Sequence, residues 1–266
     1  MSETNDRALR FYHEVLGLSR LHYGLWDDGA VLNFDNLRHA QENYENMLVD
    51  NLPQQARRIL DVGCGTGVLA KKLLASGYQV EGLSPDINQQ RIFTQDIGAP
   101  FHHMPFEQFT ASDEYDCIIM SESCQYIALD KVFENARRAL VSQGHLMICD
   151  YFVFDHARGE LAKSGHAYTA FMQAIEDYGF DIRIDEDITE RTLPTLDLAK
   201  DLVDRALLAL DIATEKPRQR HPLLSRLVMR LLRKKIDKAQ QQRQLLDADA
   251  FRQNKTYRFL LLQSGR

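Results

Sequence analysis

Ile59-Leu60-Asp61-Val62-Gly63-Cys64-Gly65-Thr66-Gly67-Val68-Leu69-Ala70 reads as a buried apolar strand, a turn with glycine at three alternate positions, and the first turn of a helix. Glycine lets a backbone bend sharply and lets a ligand come against main-chain N–H groups with no Cβ in the way, and a helix N-terminus attracts a carboxylate. The spacing is GxGxG, whereas pyrophosphate-binding loops carry GxGxxG. Asp61 also places a carboxylate at the strand's end. Both features disfavour a pyrophosphate cofactor, and the Asp61 carboxylate suits a cationic ligand better than a dinucleotide.

Outward from this loop, short apolar runs alternate with helical patterns, which is the order of a parallel sheet with crossover helices. Strands are predicted at Ile59–Val62, Gln79–Leu83, Phe101–His103, Tyr115–Met120, Gly144–Tyr151, Phe180–Asp187 and Tyr257–Leu262, the last pairing antiparallel. Helices are predicted at Val68–Ser76, Asp86–Gln95, Leu129–Leu140 and Tyr168–Tyr178, with two long ones at Leu193–Ala213 and Leu223–Leu246. Upstream, Leu9, Tyr12 and Leu16, then Leu37, Tyr44, Met47 and Leu48, fall at helical spacing. The fold class is therefore α/β: a doubly wound, mostly parallel seven-stranded sheet with N-terminal helices and a helical insert before the last strand. The division that follows is 1–52 as an N-terminal helical cap, 53–192 with 251–266 as the core, and 193–250 as the insert.

At 266 residues, 44% of them hydrophobic, the chain can bury one large core. No apolar run approaches the roughly 18 residues that span a bilayer, and the polar start lacks signal-peptide grammar, so a cytoplasmic protein is expected. Cys64, Cys117, Cys124 and Cys149 stand singly, which favours reduced thiols over a disulfide frame or a metal centre. The net charge of −6 is uneven: Lys216–Arg243 holds ten Lys and Arg against Asp237 alone. Outside that segment the chain is strongly acidic, a balance that argues against a nucleic-acid partner.

Through Ile59–Gly67 and the order of elements after it, the sequence resembles the class I S-adenosylmethionine-dependent methyltransferases. Phe11-Tyr12-His13-Glu14-Val15-Leu16-Gly17, followed by His22-Tyr23-Gly24-Leu25-Trp26, looks like the N-terminal signature of their small-molecule and lipid branch, of the tocopherol and cyclopropane fatty acid type. The resemblance implies a Rossmann-like fold with S-adenosylmethionine held by Asp61, Gly63, Cys64, Gly65 and Gly67. It implies that Tyr12, Tyr23 and Trp26 close over the methionyl end, where aromatic faces favour a sulfonium and exclude water. After the second strand the family carries an acid for the ribose. Here that position is Ser84, so either Ser84 or Asp86 takes the role, and Asp86 equally suits a helix-start acid. Met104 and Phe106 stand where the family sandwiches adenine, with core packing as the alternative.

The run Ser121-Glu122-Ser123-Cys124-Gln125-Tyr126 ends the fourth strand, where a doubly wound sheet opens toward its ligand. Ser121 is assigned to the cofactor; Glu122, Ser123, Tyr126 and His22 are assigned to the chemistry, with Glu122 nearest the acceptor and Gln125 secondary. Methyl transfer from a sulfonium is mainly a matter of positioning and desolvation. A carbon or phenol acceptor adds the need for a base, which Glu122, His22, His102 or His166 could supply. No metal is expected. The apolar and basic residues of the insert suit a hydrophobic or lipid-like acceptor and a peripheral membrane or acidic carrier-protein contact through 216–243; a solvated lid is the other reading. Two alternatives share the same cofactor residues: N-methylation of a small amine, and a non-catalytic cofactor-binding interaction protein.

Overall fold

Apolar residues on both faces drive β1 (Arg58–Val62) and β4 (Tyr115–Ser121) to the middle of a sheet, since a strand buried on both sides has no solvated face to offer. The computed structural model describes residues 20–220, 243 and 245–265. Its seven strands run in the order β3-β2-β1-β4-β5-β7-β6, with β2 at Gln79–Leu83, β3 at Phe101–His102, β5 at Leu140–Val153, β6 at Phe180–Asp187 and β7 at Lys255–Ser264. Strands β1 to β5 pair parallel, and β7 enters antiparallel between β5 and β6.

Side chains of a strand alternate between faces, so the sheet feeds two cores. Leu60, Val62, Ile118, Met120, Leu260 and Leu262 face one side, covered by α4 (Leu129–Ala139) and α5 (Tyr168–Asp177). Ile59, Cys117, Ile119, Tyr257 and Phe259 face the other, covered by α1 (Phe34–Asp50), α2 (Val68–Ala75), α3 (Ile87–Asp96), α6 (Thr189–Thr192), α7 (Pro194–Arg220) and α8 (Ala248–Asn254). Helix α1 is capped by Asn33, whose side chain accepts from the Asn36 N–H, and buries Leu37, Ala40, Gln41, Tyr44, Glu45 and Leu48 along one stripe. Two of those six are polar, and both turn out to hold the segment that precedes the helix.

The doubly wound, mostly parallel seven-stranded sheet is as the sequence leads one to expect, and several boundaries differ. Strand β5 begins at Leu140, directly after α4, and reaches Val153, because its far end pairs with Lys255 of β7. Strand β7 extends to ten residues because it has a partner on each side. Helix α7 runs on past Ala213 to Arg220. Helix α8 interrupts what reads as chain between the insert and the last strand; its cap is Asp247, which accepts from the Ala250 N–H. The helix expected around Leu9–Leu16 and nearly all of that expected at Leu223–Leu246 lie outside the described residues. No described helix is long and apolar enough to cross a membrane.

Candidate active site

Strand order reverses at β1 and β4, and the loops after their C-terminal ends leave a crevice there, as open α/β sheets do. The loop after β1 is closed by two main-chain bonds: Gly63 N–H donates to Leu83 O at 2.7 Å and Gly67 N–H to Cys64 O at 2.9 Å. Gly63 has φ +75°, and a Cβ there would lie 2.4 Å from the Cβ of Ser123, so the loops after β1 and β4 touch through a missing side chain. Ser123 completes the contact by donating its hydroxyl to Val62 O at 2.6 Å. Gly65 has φ +54°, yet a Cβ there would meet no atom within 4 Å. Its glycine therefore keeps space open beside the loop.

That space belongs to a cavity of about 600 Å³ lined by the loops after β1, β2, β3 and β4 together with residues 20–22 and α1. Asp61 reaches it from the end of β1 while only 2% exposed, and its Oδ2 has no hydrogen-bond partner. Burial pushes its carboxyl up to about 7. A buried carboxylate oxygen facing an open pocket is an unpaired charge site, and a ligand ammonium is the group that satisfies it. Ser84 and Asp86 line the same end. Ser84 Oγ accepts from the Asp86 N–H at 3.2 Å, and Asp86 caps α3 by accepting from Asn88 N and Gln89 N. Phe106, 2% exposed, closes the far side, with its carbonyl fixed by Asn135 Nδ2 at 2.7 Å.

Glu122 also lines the cavity, with a backbone φ of +53°, unusual for a side-chain-bearing residue. Its Oε1 accepts from Tyr23 N–H at 2.7 Å and from the Tyr257 hydroxyl at 2.6 Å. Although one edge meets the cavity, the carboxyl is deep in the protein, and desolvation raises its pKa against the opposing pull of His22, Tyr257 and Tyr23. Tyr44 of α1 continues the network: its hydroxyl contacts Ser121 Oγ at 3.0 Å and Tyr257 Oη at 3.2 Å, and donates to Cys149 O at 3.1 Å. Next to it, His22 stacks on the Tyr44 ring with centroids 4.6 Å apart. Against burial, which pushes the other way, His22 and a two-pronged grip from Arg20 at 2.7 and 3.0 Å hold the Glu45 carboxyl down to about 2.

The structure brings Asp61, Gly63, Cys64, Gly65, Ser84, Asp86, Phe106, Ser121, Glu122, Ser123, Tyr126 and His22 to the lining of one cavity. Others fall elsewhere. Trp26 is 2% exposed and packs with Leu37, Ala40 and Leu198, its indole N–H donating to Thr195 Oγ1 at 2.9 Å, so it braces the insert and does not face the cavity. Tyr23 reaches the site through its backbone; its ring packs 5.4 Å from that of Tyr257. Gly67 packs under the loop against Phe93 and Ile97, and Met104 packs into the core beside α4. His102 is engaged by Glu81 at 2.7 Å and His166 by Cys124 O at 3.0 Å, both off the cavity wall. Tyr12 lies outside the described residues. Sequence reasoning missed Arg20, Tyr44 and Glu45. The clue available was a glutamine and a glutamate on the apolar stripe of α1: Gln41 Nε2 donates to His22 O at 2.6 Å and Glu45 binds Arg20, so both polar residues hold the entry segment.

Comparison with known proteins bears on this site. The family described as a methyltransferase domain matches residues 37–182. A curated relative, the biotin biosynthesis bifunctional protein BioHC of Saccharophagus degradans, is 28% identical over 130 residues, which is 44% of this chain and 22% of that protein. The chain thus spans about a fifth of that relative's length. Among solved structures, the 4+2 cyclase SpnF superposes with a TM-score of 0.71 at 16% identity, over 98% of this chain and 94% of that one. Geranyl diphosphate C-methyltransferase from Streptomyces coelicolor A3(2), solved with Mg2+, geranyl diphosphate and S-adenosyl-L-homocysteine, superposes with a TM-score of 0.68 at 16% identity, over 98% of each chain. At such identities the likeness is one of fold.

Proposed function

Because the chain belongs to the methyltransferase domain family, we propose that it transfers a methyl group from S-adenosylmethionine to a small acceptor with an apolar portion, at carbon or oxygen. The observation that carries the cofactor half is Asp61, whose Oδ2 is buried and unpartnered and which lines the same cavity as Gly65. When bound, the cofactor supplies an electrophilic methyl group on a sulfonium. Asp61 would pair with its ammonium and thereby be held ionised, Ser84 and Asp86 would take the ribose hydroxyls, and Phe106 would face the base.

On the acceptor side, Leu21, Leu48 and Ile127 give the cavity an apolar wall, and exposed Tyr126 stands at its rim. Within that wall Glu122 is the carboxylate placed to accept a proton from an acceptor O–H or C–H as the new bond forms. Its raised pKa makes it a stronger base than a solvated glutamate. The geranyl diphosphate C-methyltransferase, whose bound geranyl diphosphate carries an apolar chain on a charged diphosphate, supports an acceptor with an apolar portion by analogy of fold. Transfer to a small amine has one observation in its favour, the Glu122 carboxylate on the same wall as the Tyr44 and Tyr126 rings, a surface that suits an ammonium. In this reading segments 1–52 and 193–250 select the acceptor, and an anionic membrane or acidic carrier contact at 216–243 rests on the charge of that segment. The test is turnover of apolar phenols, enols and lipids beside small amines, with liposome flotation. Turnover of a small polar amine alone, with no flotation, would overturn the apolar assignment.

A further inference from the structure

Glu122 has a left-handed backbone, φ +53°, with its own N–H donating to Cys149 O at 2.9 Å. Its side chain is fixed by two contacts that fall on one atom: Tyr23 N–H and the Tyr257 hydroxyl each donate to Oε1. Oε2 is thereby left as the oxygen that a molecule in the cavity can reach. Tyr257 lies on β7, off the cavity wall and wholly buried, and its hydroxyl also lies 3.2 Å from that of Tyr44, which does line the cavity.

We propose that Tyr257 is a positioning residue for the reaction: it fixes Glu122 by Oε1, presents Oε2 to the acceptor and sets how readily that carboxylate takes a proton. The proposal rests on the reading that Glu122 serves the acceptor. The physical basis is that a phenol can donate a short bond to an ionised carboxylate and has no second proton to give. Burial raises the Tyr257 hydroxyl well above the ordinary phenol range, so it stays protonated and remains a donor. Tyr44 gives its one proton to Cys149 O, and Tyr257 gives its own to Glu122. That donation stabilises the ionised glutamate.

Several groups face Glu122 from the packed elements. His22, in the segment before α1, favours the ionised form, Asp150 on β5 opposes it, and Tyr257 on β7 and the Tyr23 N–H favour it. Burial, and with it the Glu122 charge, raises Cys149 and Tyr151 on β5 and Tyr126 after β4, so all three stay neutral beside it. From α1 and β4, Tyr44 and Ser121 act at one remove. Removing the Tyr257 hydroxyl should therefore raise the proton affinity of Glu122, whereas a side chain that only fills space would leave it unchanged.

Infrared difference titration of the full chain, wild type against Glu122→Gln, isolates the carboxyl band of Glu122 with no need for an acceptor. Tyr257→Phe should move that band's midpoint up by about one pH unit. A folded Tyr257→Phe protein that binds adenosylhomocysteine like the wild type and keeps the wild-type midpoint would overturn the proposal. If Tyr257→Phe does not fold, 3-fluorotyrosine placed at position 257, whose hydroxyl is a stronger donor, decides: the midpoint should fall, and an unmoved midpoint overturns the proposal likewise. So does the lack of any Glu122-dependent band titrating between about pH 4 and about pH 10. Full methyl transfer by Glu122→Gln would instead sink the acceptor-side reading while the titration coupling stood.

Discussion

Replacing Asp61 by Asn should stabilise the ligand-free protein at neutral pH and weaken its hold on the cofactor. Burial lifts the Asp61 carboxyl from 3.8 to about 7, a rise of about 3 units, and each unit corresponds to about 1.4 kcal/mol. Because the folded-state value is raised, the folded chain holds the proton more tightly than the unfolded chain does. The resulting penalty is absent below about pH 4, grows as pH climbs to about 7, and is level above that, at about 4 kcal/mol. Asparagine carries no charge but leaves an amide without a partner, at a cost of about 1–2 kcal/mol. The net gain at pH 7.5 is therefore about 2–3 kcal/mol, or roughly 5–10 °C in melting temperature, and it should vanish near pH 5. Asp150 and Glu122 are also raised by burial and give the wild type a similar slope, so the difference between variant and wild type isolates Asp61. Urea unfolding at the two pH values reads the effect. Calorimetry with adenosylhomocysteine should show proton release on binding to the wild type near pH 7, none from this group in Asp61→Asn, and a loss of affinity of about tenfold or more. Equal stability of the two proteins at both pH values, or an unchanged affinity, would refute the assignment of Asp61 as the unpaired partner of a cationic ligand.

Gly65→Val should leave a folded protein, since its Cβ meets nothing within 4 Å, at a strain of about 1–2 kcal/mol from its φ of +54°; adenosylhomocysteine binding, read by calorimetry, should be lost. Glu122→Gln should lower methyl transfer to a carbon or phenol acceptor by about 10²–10⁴-fold while leaving adenosylhomocysteine affinity within about twofold, which steady-state kinetics and calorimetry measure together. Glu45, held down to about 2 from 4.5, contributes stability that is complete above about pH 4.5 and is lost as pH falls toward 2. Glu45→Gln should therefore cost about 3 kcal/mol at pH 7 in urea unfolding, with the difference shrinking steadily as the buffer is made acid.

The strand, turn and helix at Ile59–Ala70 were legible because their signals are local: buried apolar residues, glycines at the bend, and helical spacing after it. The lengths of β5 and β7 were not, since pairing with each other and with β6 decides them, and no local pattern records a partner a hundred residues away. Trp26 illustrates the same limit at the site. Its glycine- and aromatic-rich surroundings suit a cofactor lid, but Thr195, 169 residues on, supplies its partner and turns it inward. Tyr257 stands in a run of large apolar residues and reads as core, which by burial it is; its hydroxyl matters only once β7 lies beside β5 and meets Glu122. Glu45 and Gln41 were more accessible to reasoning, because polar residues on a buried helical stripe need partners.

The most direct test of the central claim is transfer of a labelled methyl group from S-adenosylmethionine into small-molecule extracts incubated with the full chain, wild type and Gly65→Val in parallel. The account predicts label in apolar, extractable products of the wild type and none with Gly65→Val. No transferred label from any extract, or the same label with Gly65→Val, would contradict it.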